Sequence, residues 1–237
     1  NRSQNIWHRW RRNILLRVGN DIVDLNHPHA KGKSRDIRFL KRVFLPEEER
    51  CILADAQPDA MLWALWTGKE AAYKTLQKDH PDISSAPRRY RVTLDGRDAR
   101  DGERRALCPQ ERVFSGIVDT PRGIISLHTL MALDYVHSVA LPFPCSATAD
   151  RVFLKVEQLC PSEQPSASYE SFYVRDVAIR QLAGYFCGSI QDVEIRRNRG
   201  LRGLGPPHVY FQGQPASIDI SLSHDGAFAA YAFTLPS

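Results

Sequence analysis

Ile124-Ile-Ser-Leu-His128, followed by Tyr135-Val-His-Ser-Val-Ala140, has an echo far downstream in Ile220-Ser-Leu-Ser-His224, followed by Phe228-Ala-Ala-Tyr-Ala-Phe233. Each half is an alternating apolar stretch that ends in a histidine and meets a second stretch across a short turn, the pattern of a β-hairpin. A second echo precedes each hairpin. Thr67-Gly-Lys-Glu-Ala-Ala-Tyr-Lys74 and Tyr173-Val-Arg-Asp-Val-Ala-Ile-Arg180 both carry a basic–acidic doublet with another base four residues after the acid. Between the copies lies Leu141-Pro-Phe-Pro-Cys-Ser-Ala-Thr-Ala-Asp150, whose prolines and small residues mark a linker. The repeat predicts two related α+β lobes that share a seam, over residues 13–145 and 150–235.

Working outward, residues 14–25 read as a strand and 35–45 as a helix-like stretch that stops at Pro46. Pro46-Glu-Glu-Glu49 reads as a helix start, since proline suits the first turn and carboxylates suit the positive end of the helix dipole. The strongest helical pattern is 61–76. Strands are expected at 90–95 and 112–118, and a hairpin at 124–130 and 135–141. After the linker come a strand at 151–158, a helix at 169–186, strands at 193–196 and 208–211, and a closing pair at 218–223 and 227–233.

Composition narrows the classes. Of 237 residues, 43% are hydrophobic and 25% charged, enough apolar material for a core and too little bias for a disordered chain. No apolar run approaches the roughly 20 residues of a bilayer helix, so no membrane span is expected. Arg2, Arg9, Arg11 and Arg12 precede only a short apolar block at 14–16, too little for a signal peptide. Five cysteines at wide spacing, with no CxxC, suit free thiols in a reducing cytoplasm rather than a disulfide framework or a zinc site. A net charge of +5 suits an anionic partner: nucleic acid, a phosphate-rich ligand or an acidic protein. Nucleic-acid stacking would interleave aromatics with arginine, and only Arg88-Arg-Tyr-Arg91 does so.

Three stretches look chemical. In Gly19-Asn-Asp-Ile-Val-Asp24, alternation puts Asp21 and Val23 on one strand face and Ile22 and Asp24 on the other. One acid beside a glycine that admits close approach suits a hard cation. In Lys69-Glu-Ala-Ala-Tyr-Lys74, Glu70 and Lys74 stand at ion-pair spacing on a helix, beside the aromatics Trp63, Trp66 and Tyr73. A charged pair against that face suits a cleft rim. In Ser221-Leu-Ser-His-Asp-Gly226, neighbours on one strand end cannot converge as a hydrolase triad, whereas His224 can donate to a phosphate. Upstream, Arg196-Arg-Asn-Arg-Gly-Leu-Arg-Gly-Leu-Gly-Pro-Pro207 reads as a mobile basic loop suited to polyphosphate, though without a P-loop pattern.

In this order GNDIVDL, RFLKRVFLPEEE, WTGKEAAYK, a Gly/Pro-bearing stretch and ISLSHDG-AFAAYAF resemble the 4′-phosphopantetheinyl transferases. The resemblance covers 18–49, 62–74 and 194–233. It implies an α+β fold of two similar lobes related by a pseudo-twofold, each a small antiparallel sheet packed with a long helix. It also implies transfer of 4′-phosphopantetheine from coenzyme A to a serine of an acidic apo carrier protein, with Mg²⁺, by a monomeric fused pair of lobes in the cytoplasm. By motif matching, Asp21 and Glu70 would hold the metal. Glu70 and Lys74 would be catalytic, and His224, Ser223, Arg199 and Arg202 would bind coenzyme A. Where many two-lobed relatives carry another acid, this chain has Val23. Acid motifs stand in the first lobe here, as in the small synthases of the family. The competing expectation is a silent relative that binds coenzyme A or a carrier protein without turnover.

Overall fold

The computed structural model describes residues 15–95, 111–144, 151–159, 167–200 and 203–236. It is an α+β structure built on two five-stranded antiparallel sheets. The first has the order β1-β5-β4-β3-β2, from β1 (Gly19–Asp24), β2 (Arg91–Asp95), β3 (Arg112–Thr120), β4 (Gly123–Met131) and β5 (Tyr135–Pro142). The second has the order β6-β10-β9-β8-β7, from β6 (Val152–Gln158), β7 (Val193–Gly200), β8 (Gly203–Phe211), β9 (Gln214–Asp225) and β10 (Phe228–Thr234). Helices α1 (Ile37–Val43), α2 (Pro46–Ala54) and α3 (Pro58–Gln77) belong to the first lobe, and α4 (Ala167–Tyr185) to the second.

Each sheet buries one face under its long helix. In the first lobe Leu62, Leu65 and Ala72 of α3 share a core with Leu127, Val136 and Ala140. In the second, Val174, Ala178 and Leu182 of α4 pack on Ile220, Leu222, Tyr231 and Phe233. Gly19 lets β1 come close under α3. A β-carbon there would overlap the Ala71 carbonyl oxygen and come within 2.8 Å of the Thr75 amide nitrogen. Gly19→Ala is therefore expected to lower stability by about 1–3 kcal/mol, the usual cost of overpacking; a shift of the urea midpoint measures it.

The lobes meet along β1 and β9. The outer edge of β1 carries unpaired N–H groups, since its other edge is laddered to β5. Side chains on one face of β9 satisfy them. Val18 N–H donates to Asp219 at 2.7 Å, Asn20 N–H to Ser221 at 2.9 Å and Asp24 N–H to Asp225 at 2.8 Å. All three pairs share one sequence offset, so the two strands run parallel. Apolar contacts flank this seam: Val139 and Leu141 with Ala232, and Ile22 with Phe228 and Ala230.

One expectation needs correction. Within 196–207, the described residues are strand rather than loop. They continue β7 through Gly200 and begin β8 at Gly203. Proline in a strand usually argues for a break, because it cannot donate to a ladder. Here Pro206 and Pro207 lie on the arm of β8 beyond its pairing with β9. Among the described residues that ladder ends at His208↔Asp219, while Pro207 still pairs with Arg197. The prolines thus splay the β7–β8 arm away from β9 and leave space beside Ser221–His224.

Candidate active site in the cleft between the lobes

That space is the candidate site. A cavity of about 230 Å³ is lined by Asp21 and Lys74 from the first lobe and by Arg175, Arg197, Ser223 and His224 from the second. An adjoining hollow of about 130 Å³ shares Lys74 and Arg197 and adds Glu70, Tyr73, Pro206 and Pro207. Five of the seven residues singled out by sequence therefore face one cleft: Asp21, Glu70, Lys74, Ser223 and His224. Of the other two, Arg199 has only its backbone placed, on β7 opposite Leu204. Arg202 lies outside the described residues.

The first-lobe half follows from strand and helix periodicity. Asp21 points toward α3, and Lys74 reaches it from the last turn of that helix. Lys74 Nζ donates to Asp21 Oδ1 at 2.8 Å and to the Asn20 carbonyl at 3.0 Å. Its bonds thus cross to β1 rather than close the i,i+4 pair with Glu70. Burial raises the Asp21 carboxyl above its usual range, against the pull of Lys74. Burial, and then the charge of Asp21, push Glu70 up to about 7, with Lys74 opposing. Two desolvated carboxylates that repel each other are a donor set for a hard cation. Magnesium fits such a pair because it keeps several waters and asks for few protein ligands. Among the described residues no three His, Cys, Asp or Glu side chains gather into a metal cage. Val23 is packed in the core.

The second-lobe half is basic. In the sequence Arg197 belongs to the basic stretch suited to polyphosphate, and Arg175 is the echo of Lys69. Arg175 donates to the Ser171 carbonyl at 2.7 Å and hydroxyl at 2.8 Å. Arg197 has a buried Nε with no partner among the described residues. Burial, and then the charge of Arg175, lower its pKa. A guanidinium with a bare buried donor beside a second one is a place for an anion. Ser223 accepts from Asn20 Nδ2 at 3.2 Å. His224 is bonded through Nδ1 to Glu170 Oε2 at 2.8 Å, a residue that nothing in the sequence pattern marks. Asp225 turns the other way, to the Asp24 N–H and toward His29. No triad forms.

Behind the cleft, Asn20 Nδ2 also meets His137 Nε2 at 3.3 Å. Burial, and then Lys74, lower His137 to about 4 from 6.5. A depressed histidine stabilises the fold above its unfolded value and stops doing so as pH falls through its folded one. His137 should therefore cost the fold up to roughly 3 kcal/mol between pH 6.5 and about 4. Urea midpoints across that window should fall in wild type and fall less in His137→Gln.

Residues 17–112, which supply Asp21, Glu70 and Lys74, match the model of the 4′-phosphopantetheinyl transferase superfamily. The chain is thus similar to that superfamily over less than half of its length. The phosphopantetheinyl transferase match stops before the second lobe. No curated protein matches the chain. Among solved structures, the holo-[acyl-carrier-protein] synthase of Thermotoga maritima is similar at 12% identity and a TM-score of 0.32, over 84% of each chain. So loose a likeness carries no argument about the site. No described helix is long and apolar enough to cross a membrane.

Proposed function

We propose that this chain transfers the 4′-phosphopantetheine group of coenzyme A to a serine hydroxyl of an acidic apo carrier protein. The observation that carries the reading is the cleft itself. Paired carboxylates and a lysine from one lobe face a histidine from the other and an arginine whose buried Nε has no partner among the described residues, as a pyrophosphate substrate requires. The likeness of residues 17–112 to the superfamily supports the reaction type.

The transfer is a displacement at phosphorus. The serine Oγ–P bond forms, the P–O bond within the pyrophosphate breaks, and adenosine 3′,5′-bisphosphate leaves. Magnesium held by Asp21 and Glu70 would neutralise charge on the pyrophosphate oxygens. Lys74 is anchored by Asp21 and the Asn20 carbonyl, so its charge is fixed at the cleft wall before substrate arrives. Arg197 and Arg175 supply further positive charge, and Arg197 offers a donor with no bond to give up. His224 binds a phosphate of coenzyme A. A carboxylate, Glu70 itself or one acting through a water, takes the serine proton. The net charge of +5 suits an acidic carrier.

Intact-protein mass spectrometry tests this. An apo carrier incubated with the chain, coenzyme A and Mg²⁺ should gain one phosphopantetheine mass, and EDTA should prevent it. Coenzyme A binding without any gain on several carriers would replace the transferase by a silent binding relative. Absence of both would remove the reading of the cleft.

A further inference from the structure

We infer that Glu170 is a positioning residue for His224. It fixes the ring so that Nε2 alone is presented to an anionic ligand in the cleft. The inference rests on the proposed function for the identity of that ligand, a phosphate of coenzyme A.

The two side chains come from different elements. Glu170 stands in the first turn of α4, where a carboxylate also suits the helix dipole, and His224 lies near the end of β9. Their separation is 2.8 Å, and both are largely shielded, with 13% and 28% of the side chain exposed. An ionised carboxylate can only accept a hydrogen bond, so the proton between them sits on Nδ1. The cavity that His224 lines also holds Asp21, Lys74, Arg175 and Arg197, and among the described residues the ring makes no second hydrogen bond. Nε2 is the nitrogen left over.

The chain offers a nearer acid, and the fold denies it the role. Asp225 follows His224, but adjacent residues on a strand face opposite ways. Its carboxylate is taken by the Asp24 N–H, with His29 beside it. The carboxylate behind the histidine therefore comes from the helix rather than from the Ser-His-Asp run.

A carboxylate behind an imidazole does two things. It sets which nitrogen carries the proton and which way the ring points. It also balances the charge of a ring protonated on both nitrogens, the form that donates from Nε2 to a phosphate. Glu170 does this without touching the ligand.

The test is a double-mutant cycle on the full chain, read by calorimetric titration with adenosine 3′,5′-bisphosphate. Glu170→Ala should weaken binding on the order of tenfold in the wild-type background and change little in His224→Ala. The near-isosteric Glu170→Gln guards against a folding defect and should fall between. Histidine ring ¹⁵N spectra of the ligand-free protein should show His224 protonated at Nδ1, and that signature should change in both Glu170 variants. Unchanged affinity in Glu170→Ala, or an equal loss with and without His224, would overturn the assignment. A wild type that binds no bisphosphate would instead remove the cleft reading, and the ring spectrum would still decide whether Glu170 holds Nδ1.

Discussion

Asp21→Asn and Glu70→Gln are each expected to lower the rate of Mg²⁺-dependent phosphopantetheine transfer by roughly 10²–10⁴-fold while the fold survives. Loss of activity alone would not separate a metal site from a misfolded one, so stability is the second readout. Glu70 is held at about 7, above its ordinary 4.5, chiefly by burial and then by Asp21. A carboxyl raised in this way stabilises the fold below its unfolded value and withdraws that help as pH rises through its folded one. The metal-free protein should therefore lose stability from Glu70 between pH 4.5 and about 7. Glu70→Gln removes the charge and should remove that part of the pH dependence. A cation bound by the pair favours the folded state by mass action. Mg²⁺ should accordingly raise the melting temperature of wild type more at pH 8 than at pH 5, and raise neither variant. Near-normal transfer in either variant, or the same Mg²⁺ response in all three proteins, would take that residue out of the metal site.

What the sequence made legible was local. Alternation put Asp21 and Val23 on one face of β1, and the fold turns that face to α3. The glycine before them read as room for a hard cation, whereas the close approach it admits is that of α3 over Gly19. The repeated hairpins announced two lobes. What stayed hidden depends on how distant segments register. Nothing in Asp219, Ser221 and Asp225 says that they cap the edge of a strand two hundred residues earlier, because a polar residue every second position looks like an exposed face. Pro206 and Pro207 read as a loop because proline breaks ladders, and they do break the one to β9. The ladder to β7 persists on the other side. Glu170 was invisible for a related reason, since an acid in the first turn of a helix has a sufficient local explanation.

Lys69 shows how far two adjacent charges can part company, and it carries the largest expected effect on stability. In the sequence Lys69 and Glu70 are one doublet. In the structure Glu70 opens on the cleft, while Lys69 enters the core with 1% of its side chain exposed. Its Nζ is 2.7 and 2.8 Å from the two oxygens of Glu48 and also donates to the Tyr90 carbonyl. Glu48 in turn accepts the Val92 N–H and the Leu45 N–H, each at 2.8 Å. One buried ion pair thus ties α3 to the start of α2 and to β2. Lys69→Met keeps the apolar stem and deletes the charge, which leaves Glu48 buried without its cation. Removing one partner of such a pair costs about 3–5 kcal/mol. That is a large part of the roughly 5–15 kcal/mol by which a domain is stable. The urea midpoint should fall accordingly. Lys69→Met with Glu48→Gln should recover much of the loss, since glutamine keeps an acceptor for Val92 and carries no charge to strand. If the single variant unfolds at the wild-type midpoint, or the double is no better than the single, the pair does not hold α3 in place. The position of Glu70 and Lys74 at the cleft would then have to come from the core contacts of the helix alone.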